Sequence, residues 1–227
     1  MMLDELIGKS PFDQATWPDK LTAKVVQPGD TPRVYGYDVQ DDLAKYYRWS
    51  ELLILSLTGE LPSEALIPAI DIALIFLSSV SVAEAPGHAA VLAGFCGTTN
   101  SAAQSIVTIT LAEQARTFID QYKAIPKEGV MPPSNDEGIA RLRERLDEKR
   151  LQGIVLETRL GVLGAALSVL EQCGLTKSSQ LEAAWVIARL PVALAEAWHQ
   201  PAGNFLNYPT QLPSFAYLHP RQEEALS

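Results

Sequence analysis

The sequence predicts an all-α chain. Apolar residues recur at a spacing nearer 3.6 than 2 over most of residues 41–198, long stretches are built from alanine and glycine, and Pro/Gly clusters punctuate them at intervals of helix length. Together these describe a bundle of packed helices.

Residues 1–33 carry Pro11, Pro18, Pro28 and Pro32 with little periodicity, and are expected to be an N-terminal arm. Val34–Val39 reads as a short extended element turning at Gly36. Leu43, Tyr46 and Tyr47, then Leu53 and Leu57, predict two helices around the Arg48-Trp49-Ser50 junction. Ser50 is the expected cap of the second, Glu51 lies in its first turn where the dipole favours an anion, and Gly59 ends it.

Pro62-Ser63-Glu64 opens the next helix, with Leu66, Ile70, Ala73, Leu74 and Leu77 on one face. Pro68 fits near its first turn or as the origin of a bend. Ala85-Pro86-Gly87 separates it from a small-residue helix over His88–Cys96. Ser101–Tyr122 continues as a central helix, although Ile106-Val107-Thr108-Ile109-Thr110 has the β-branched character of a strand; its helical flanks decide against one.

Ile125–Asn135, with Pro126, Gly129, Pro132 and Pro133, is the expected internal loop. Gly138–Arg150 predicts a helix with Ile139, Leu142 and Leu146 inward and a charged, solvated outer face. Residues 153–173 read as one apolar helix in which Gly161 and Gly164 permit close packing, with Gly174 just past its end. Leu181–Trp198 is the last long helix, which Pro191 either ends or bends. Beyond Gln200, prolines spaced by Phe205, Tyr208, Phe215 and Tyr217 predict an extended tail over 201–227, strapped to an apolar surface.

The 227 residues fit one large domain or two small ones, and 47% hydrophobic against 20% charged residues favours an apolar oligomer interface. A net charge of −9 disfavours phosphate backbones, so no nucleic-acid partner is expected. Cys96 and Cys173 are too few for a disulfide framework, and no metal site is expected. The apolar runs at 66–77, 89–97 and 153–170 are interrupted before they span a bilayer, and the first residues lack a secretion signal, so the expectation is a cytoplasmic protein with no membrane partner.

Tyr35-Gly36-Tyr37-Asp38-Val39, Leu43 and Leu53-x-x-x-Leu57-Thr58-Gly59-Glu60-Leu61-Pro62 resemble the N-terminal signature of the citrate synthase family, in particular its short citryl-CoA lyase-like branch. Pro86 with His88-Ala89-Ala90, Ser101-Ala102-Ala103, Gly161–Ala166 leading to Cys173-Gly174-Leu175, and Ala188–Pro191 are similar to later blocks of that family, in the same order. The likeness spans roughly residues 33–200. It implies a citrate synthase-like multi-helical bundle over residues 34–200, with 106–150 as a candidate small-domain portion. It further implies a homodimer, or a heterodimer with an active relative, and chemistry on a coenzyme A thioester as substrate rather than a tightly bound cofactor.

That chemistry needs a base for a weakly acidic α-proton and donors for the enolate and ketone oxygens. The family's histidine in a His-Gly-Gly-Ala element matches Leu111-Ala112-Glu113-Gln114-Ala115 here, its Gly-x-x-His turn matches Gly129–Ser134, and its Asn-Val-Asp element matches Gly161-Val162-Leu163. At a further Ala-His pair the chain has Ala195-Glu196. None of these places holds the family residue.

Of the three histidines, His88 starts a small-residue helix, His199 ends the last long one and His219 lies in the tail. His88 reads as a local hydrogen-bonding residue or a ligand contact. Glu113, on a largely apolar helix, is either a functional carboxylate or the partner of Arg116; Arg189 and Arg116 are candidates for structural salt links. Two readings follow: a non-catalytic or partner subunit keeping the dimeric scaffold, or an active CoA-thioester lyase or synthase with a 2-oxo acid or citryl-type substrate, in which His88 or Glu113 transfers protons.

Overall fold

The computed structural model describes residues 20–126 and 136–200, and the chain divides into two units, Met1–Tyr47 and Arg48–Ser227. The expected tail over 201–227, with His219, lies outside the described residues, as do residues 1–19 of the arm and 127–135 of the internal loop.

In the first unit, β1 (Val26–Gln27), β2 (Arg33–Val34) and β3 (Tyr37–Asp38) form an antiparallel sheet in sequence order, with Val34 opposite both Val26 and Tyr37. The extended element expected at Val34–Val39 is thus a hairpin, turning at Tyr35 and Gly36 with φ of 50° and 87°, which matches the right-handed twist of its strands. Pairing with β1 adds a strand that the irregular reading of residues 1–33 did not contain. Asp38 then starts a helical turn over Val39–Leu43, its Oδ1 accepting the Gln40 and Asp41 N–H groups at 2.9 Å each. The short α1 (Ala44–Tyr46) follows.

The second unit is wholly helical among its described elements: α2 (Trp49–Thr58), a 3₁₀ turn at Glu64–Leu66, α3 (Ile67–Leu77), α4 (Ala85–Phe95), α5 (Asn100–Ala124), α6 (Glu137–Glu148), α7 (Gly161–Gln172) and α8 (Ser178–Trp198). Helix α2 ends at Gly59 as expected, with φ of 85°. Ser50 is not its cap. The cap is Arg48, two residues earlier; the Glu51 carboxylate accepts the Arg48 N–H at 2.8 Å, and Ser50 is buried inside the first turn.

Ala85-Pro86-Gly87 does not separate two helices either. Proline has no N–H to lose in a first turn, and here it opens α4, which makes His88 the fourth residue of the helix rather than its first. The β-branched run of residues 106–110 is helical within a 25-residue α5 that Thr99 caps, its Oγ1 accepting the Ala102 N–H at 3.3 Å. In α6 the residues expected inward, Ile139, Leu142 and Leu146, are the buried ones, and Asp136 caps the helix through the Gly138 N–H at 2.8 Å.

Residues 153–173 are not one helix. Residues 151–160 run irregularly and α7 begins only at Gly161, because the Arg159 side chain turns back to donate to the carbonyls of Tyr122 at 2.8 Å and Ile125 at 2.6 Å. These are carbonyls that the end of α5 leaves open. Pro191 does not end α8, which continues seven residues beyond it to Trp198; the Ile187 carbonyl forgoes its helical donor there.

Among the described residues, two hydrophobic clusters fill the second unit. The larger joins α3, α6, α7, the second half of α5 and the first part of α8, around Ile70, Leu77, Ile119, Leu142, Leu170 and Trp185. The smaller is Ala90, Val107, Leu111, Ala193, Leu194 and Ala197, between α4 and the other ends of α5 and α8. α4 lies close to α8 at Gly94, where a Cβ would sit 2.1 Å from the Ala197 carbonyl oxygen.

Cys173 is buried at the end of α7, and burial pushes its thiol up to about 12 from 9.0. The folded chain therefore keeps a proton that the unfolded chain releases above pH 9. Stability present below pH 9 is expected to decline as pH rises from 9 towards 12, by up to about 1.4 kcal/mol per pH unit. Urea titrations across that range check this: Cys173→Ala should show a shallower decline than the native chain, and parallel curves would contradict it.

Candidate functional site

Glu113 lies at the middle of α5 on the face opposite the core. Its Oε2 accepts from Arg116 Nη2 at 2.7 Å and Nε at 3.2 Å, and the carboxylate side chain is 65% exposed. The condition that would have forced it to function or to neutralise, burial in an apolar setting, is absent. Arg116 also reaches Asp120 at 3.8 Å, and the Glu113 carboxylate beside it, through hydrogen bond and charge, raises its pKa further. The expected Arg116 salt link is therefore present, on the surface.

Glu113 and Gln114 border an open hollow of about 430 Å³ along α5, with Ala85, Ile109 and Phe118, and the lining is mostly apolar. Two of its polar side chains are engaged within α5: the Thr110 hydroxyl donates to the Ile106 carbonyl at 2.9 Å, and Thr117 to the Glu113 carbonyl at the same distance. His88, half-buried in the first turn of α4, does not line that hollow. His199 sits at the end of α8 with Nδ1 2.8 Å from the Ala195 carbonyl oxygen, a local contact at a helix terminus.

The other described positions matched by resemblance lie on α5, α7 and α8. Leu111 and Ala115 are fully buried, Leu163 packs against the larger core from the first turn of α7, and Glu196 is half-buried on α8. Gly129–Ser134 lies outside the described residues.

Two polar networks join residues far apart in the sequence. The first centres on Arg189, which is 0% exposed: it pairs with Glu84, donates to the Leu77 carbonyl at 3.4 Å and stacks over Trp185 at 4.6 Å. Gln114 Nε2 donates to the same Glu84 oxygen at 2.7 Å, and Trp185 Nε1 donates to Gln114 Oε1 at 3.2 Å. The Arg189 salt link expected from sequence is thus present and buried, and burial lowers the pKa of its guanidinium against the opposing pull of Glu84. In the second network, Tyr122 donates to Glu171 at 2.9 Å beneath the Arg159 guanidinium, Arg159 pairs with Glu157, and Lys123 pairs with Glu171. Burial and the adjacent Glu171 hold the Tyr122 phenol protonated well above its ordinary range. The local signal for the first network was Arg189, a lone charge in the apolar run over 183–195; Arg159 follows Glu157 and Thr158 and stands out less.

Among the described residues no group of three His, Cys, Asp or Glu side chains comes together to hold a metal, and no helix is long and apolar enough to cross a membrane.

This arrangement of helices is the citrate synthase-like multi-helical bundle, as comparison with solved structures shows. The chain superposes on citryl-CoA lyase from Hydrogenobacter thermophilus with a TM-score of 0.59 and 16% identity, over 90% of this chain and 99% of that one. It is also similar to ATP citrate lyase from Methanosaeta concilii, a mutant in complex with (3S)-citryl-CoA, at TM-score 0.60 and 12% identity over 95% of this chain. A third match is ATP citrate lyase from Methanothrix soehngenii with citrate and coenzyme A, at 0.57 and 14% over 94%. This chain covers 44% of each of those two longer chains. No protein-family model and no curated protein sequence matches it.

Proposed function

We propose that the chain is a citrate synthase-like or citryl-CoA lyase-like subunit that keeps the scaffold without the carbon–carbon chemistry, and that it works paired with a second copy or with an active relative. The observation that carries this reading is the state of the positions matched to the family's proton-handling elements. Leu111 and Ala115 are core residues, Glu113 is an exposed carboxylate held by Arg116, and Leu163 is apolar. A carboxylate on an open helix face, its Oε2 already taken by two guanidinium donors, is not positioned to receive a proton from a thioester's α-carbon.

A second reading, an active lyase or synthase on a CoA thioester and a 2-oxo acid or citryl-type substrate, is favoured by one feature. Glu113 borders an apolar hollow of ligand-like volume. The solved relatives that hold citryl-CoA, or citrate with coenzyme A, make a CoA thioester the substrate class to offer. Incubating the protein with acetyl-CoA and a panel of 2-oxo acids, while following thioester loss and product masses, separates the two. The subunit reading expects no product beyond the buffer control. A product whose formation is lost in both His88→Ala and Glu113→Ala establishes the second reading instead.

A further inference from the structure

The two hydrophobic clusters of the helical unit are unequal, and the boundary between them is polar. Among the described residues the smaller has six members, three of them alanines, so these bury far less apolar surface than the 22 of the cluster beside it. α4 packs mainly on α5 and α8, and contributes Ala90 to the smaller cluster. Both long helices cross from one cluster to the other: α5 between Leu111 and Ala115, α8 between Trp185 and Ala193.

At that crossing each long helix carries something other than core packing. α8 has Pro191, which removes one rung of its hydrogen-bond ladder at the Ile187 carbonyl. It also has Arg189, anchored to the larger cluster by the Leu77 carbonyl and the Trp185 ring. α5 has Gln114, held by Trp185 Nε1. Arg189 and Gln114 converge on one oxygen, Glu84 Oε2, and Glu84 is the residue that begins α4, with its other oxygen accepting the Ser81 N–H at 3.0 Å. A single carboxylate therefore joins the start of α4 to the larger cluster.

We propose that α4, with the N-terminal half of α5 and the C-terminal third of α8, opens as one cooperative unit on the rest of the bundle, and that the Glu84 carboxylate is the latch that holds it shut. A small alanine-rich core gives the unit a lower opening free energy than the body, and the gap in α8 at Pro191 supplies the place where the helix yields. The hollow beside Glu113 straddles the boundary, with Ile109 on the opening side and Phe118, stacked on Trp185 at 4.7 Å, on the body side. Opening therefore reshapes that hollow whether or not the chain is an enzyme.

Native-state hydrogen exchange read by mass spectrometry on the full chain tests this. In the native protein, peptides from 85–112 and 191–198 should exchange through one shared opening, at least about tenfold faster than the core amides of α3 and α7. Glu84→Gln, which keeps the shape and removes the charge, should speed those same peptides about tenfold further and leave α3, α6 and α7 unchanged. Pro191→Ala, which returns an N–H to Ile187 and threatens no buried charge, should slow them selectively. One common exchange rate across all helices, or variants that shift every helix equally, would overturn the proposal.

Discussion

Arg189→Ala is expected to lower the stability of the helical unit by about 3 kcal/mol or more. The guanidinium is fully buried, and its removal takes away the partner of Glu84, a donor to the Leu77 carbonyl and the cation stacked on Trp185 in one step. Because Glu84 retains 34% of its side-chain exposure, water can take over part of its solvation, which puts the loss at the lower end of what breaking a fully buried pair costs. The cavity left under Trp185 acts in the other direction. Arg189→Met restores most of the volume without the charge, so it should recover part of the loss. Urea denaturation of the two variants, followed by Trp fluorescence, measures both quantities. A change below about 1 kcal/mol for Arg189→Ala would mean that the buried pair contributes nothing net.

Gly164→Ala is expected to reverse the usual sign of a helical glycine-to-alanine change. Inside a helix that substitution normally stabilises by up to about 1 kcal/mol. At 164 the new Cβ would lie 1.7 Å from the Arg159 carbonyl oxygen and 2.9 Å from its carbon, both backbone atoms that cannot rotate away. The turn through Arg159 and Leu160 must shift, and with it the bonds that Arg159 makes to Tyr122 and Ile125. A loss of about 3 kcal/mol or more follows from overpacking against a fixed backbone. Gly153→Ala, with no atom within 4 Å of its Cβ, is the control and should change stability by a few tenths of a kcal/mol at most. Equal effects at 153 and 164 would contradict the packing described for α7.

The sequence made the local features visible and hid the distant ones. Gly59 at the end of α2, the inward Ile139, Leu142 and Leu146 of α6, and the Glu113–Arg116 pair all depend on neighbours within a turn or two, where periodicity and spacing carry the information. The helical state of residues 106–110 also follows locally, since a β-branched run inside a long helix yields to its flanks. The irregular path of residues 151–160 was hidden because its aliphatic residues, Leu151, Ile154, Val155, Leu156 and Leu160, lead straight into the apolar run of α7. What breaks it is Arg159 reaching carbonyls 34 and 37 residues away. The Glu84–Arg189 and Gln114–Trp185 contacts span 105 and 71 residues, and no pattern in the chain announces them. For the same reason the exposure of Glu113 could be settled only by the fold, which turns that face of α5 outward.

On the proposed reading the scaffold is kept, and the positions that resemble the family's proton-handling elements hold other residues. A single-turnover measurement is the most direct test of that reading: excess protein mixed with citryl-CoA, quenched over a range from milliseconds to hours, with free coenzyme A, acetyl-CoA and the 2-oxo acid quantified together. The account predicts cleavage at the rate seen in buffer alone. A protein-dependent burst of acetyl-CoA with a stoichiometric 2-oxo acid, abolished in Glu113→Ala or His88→Ala, would contradict it.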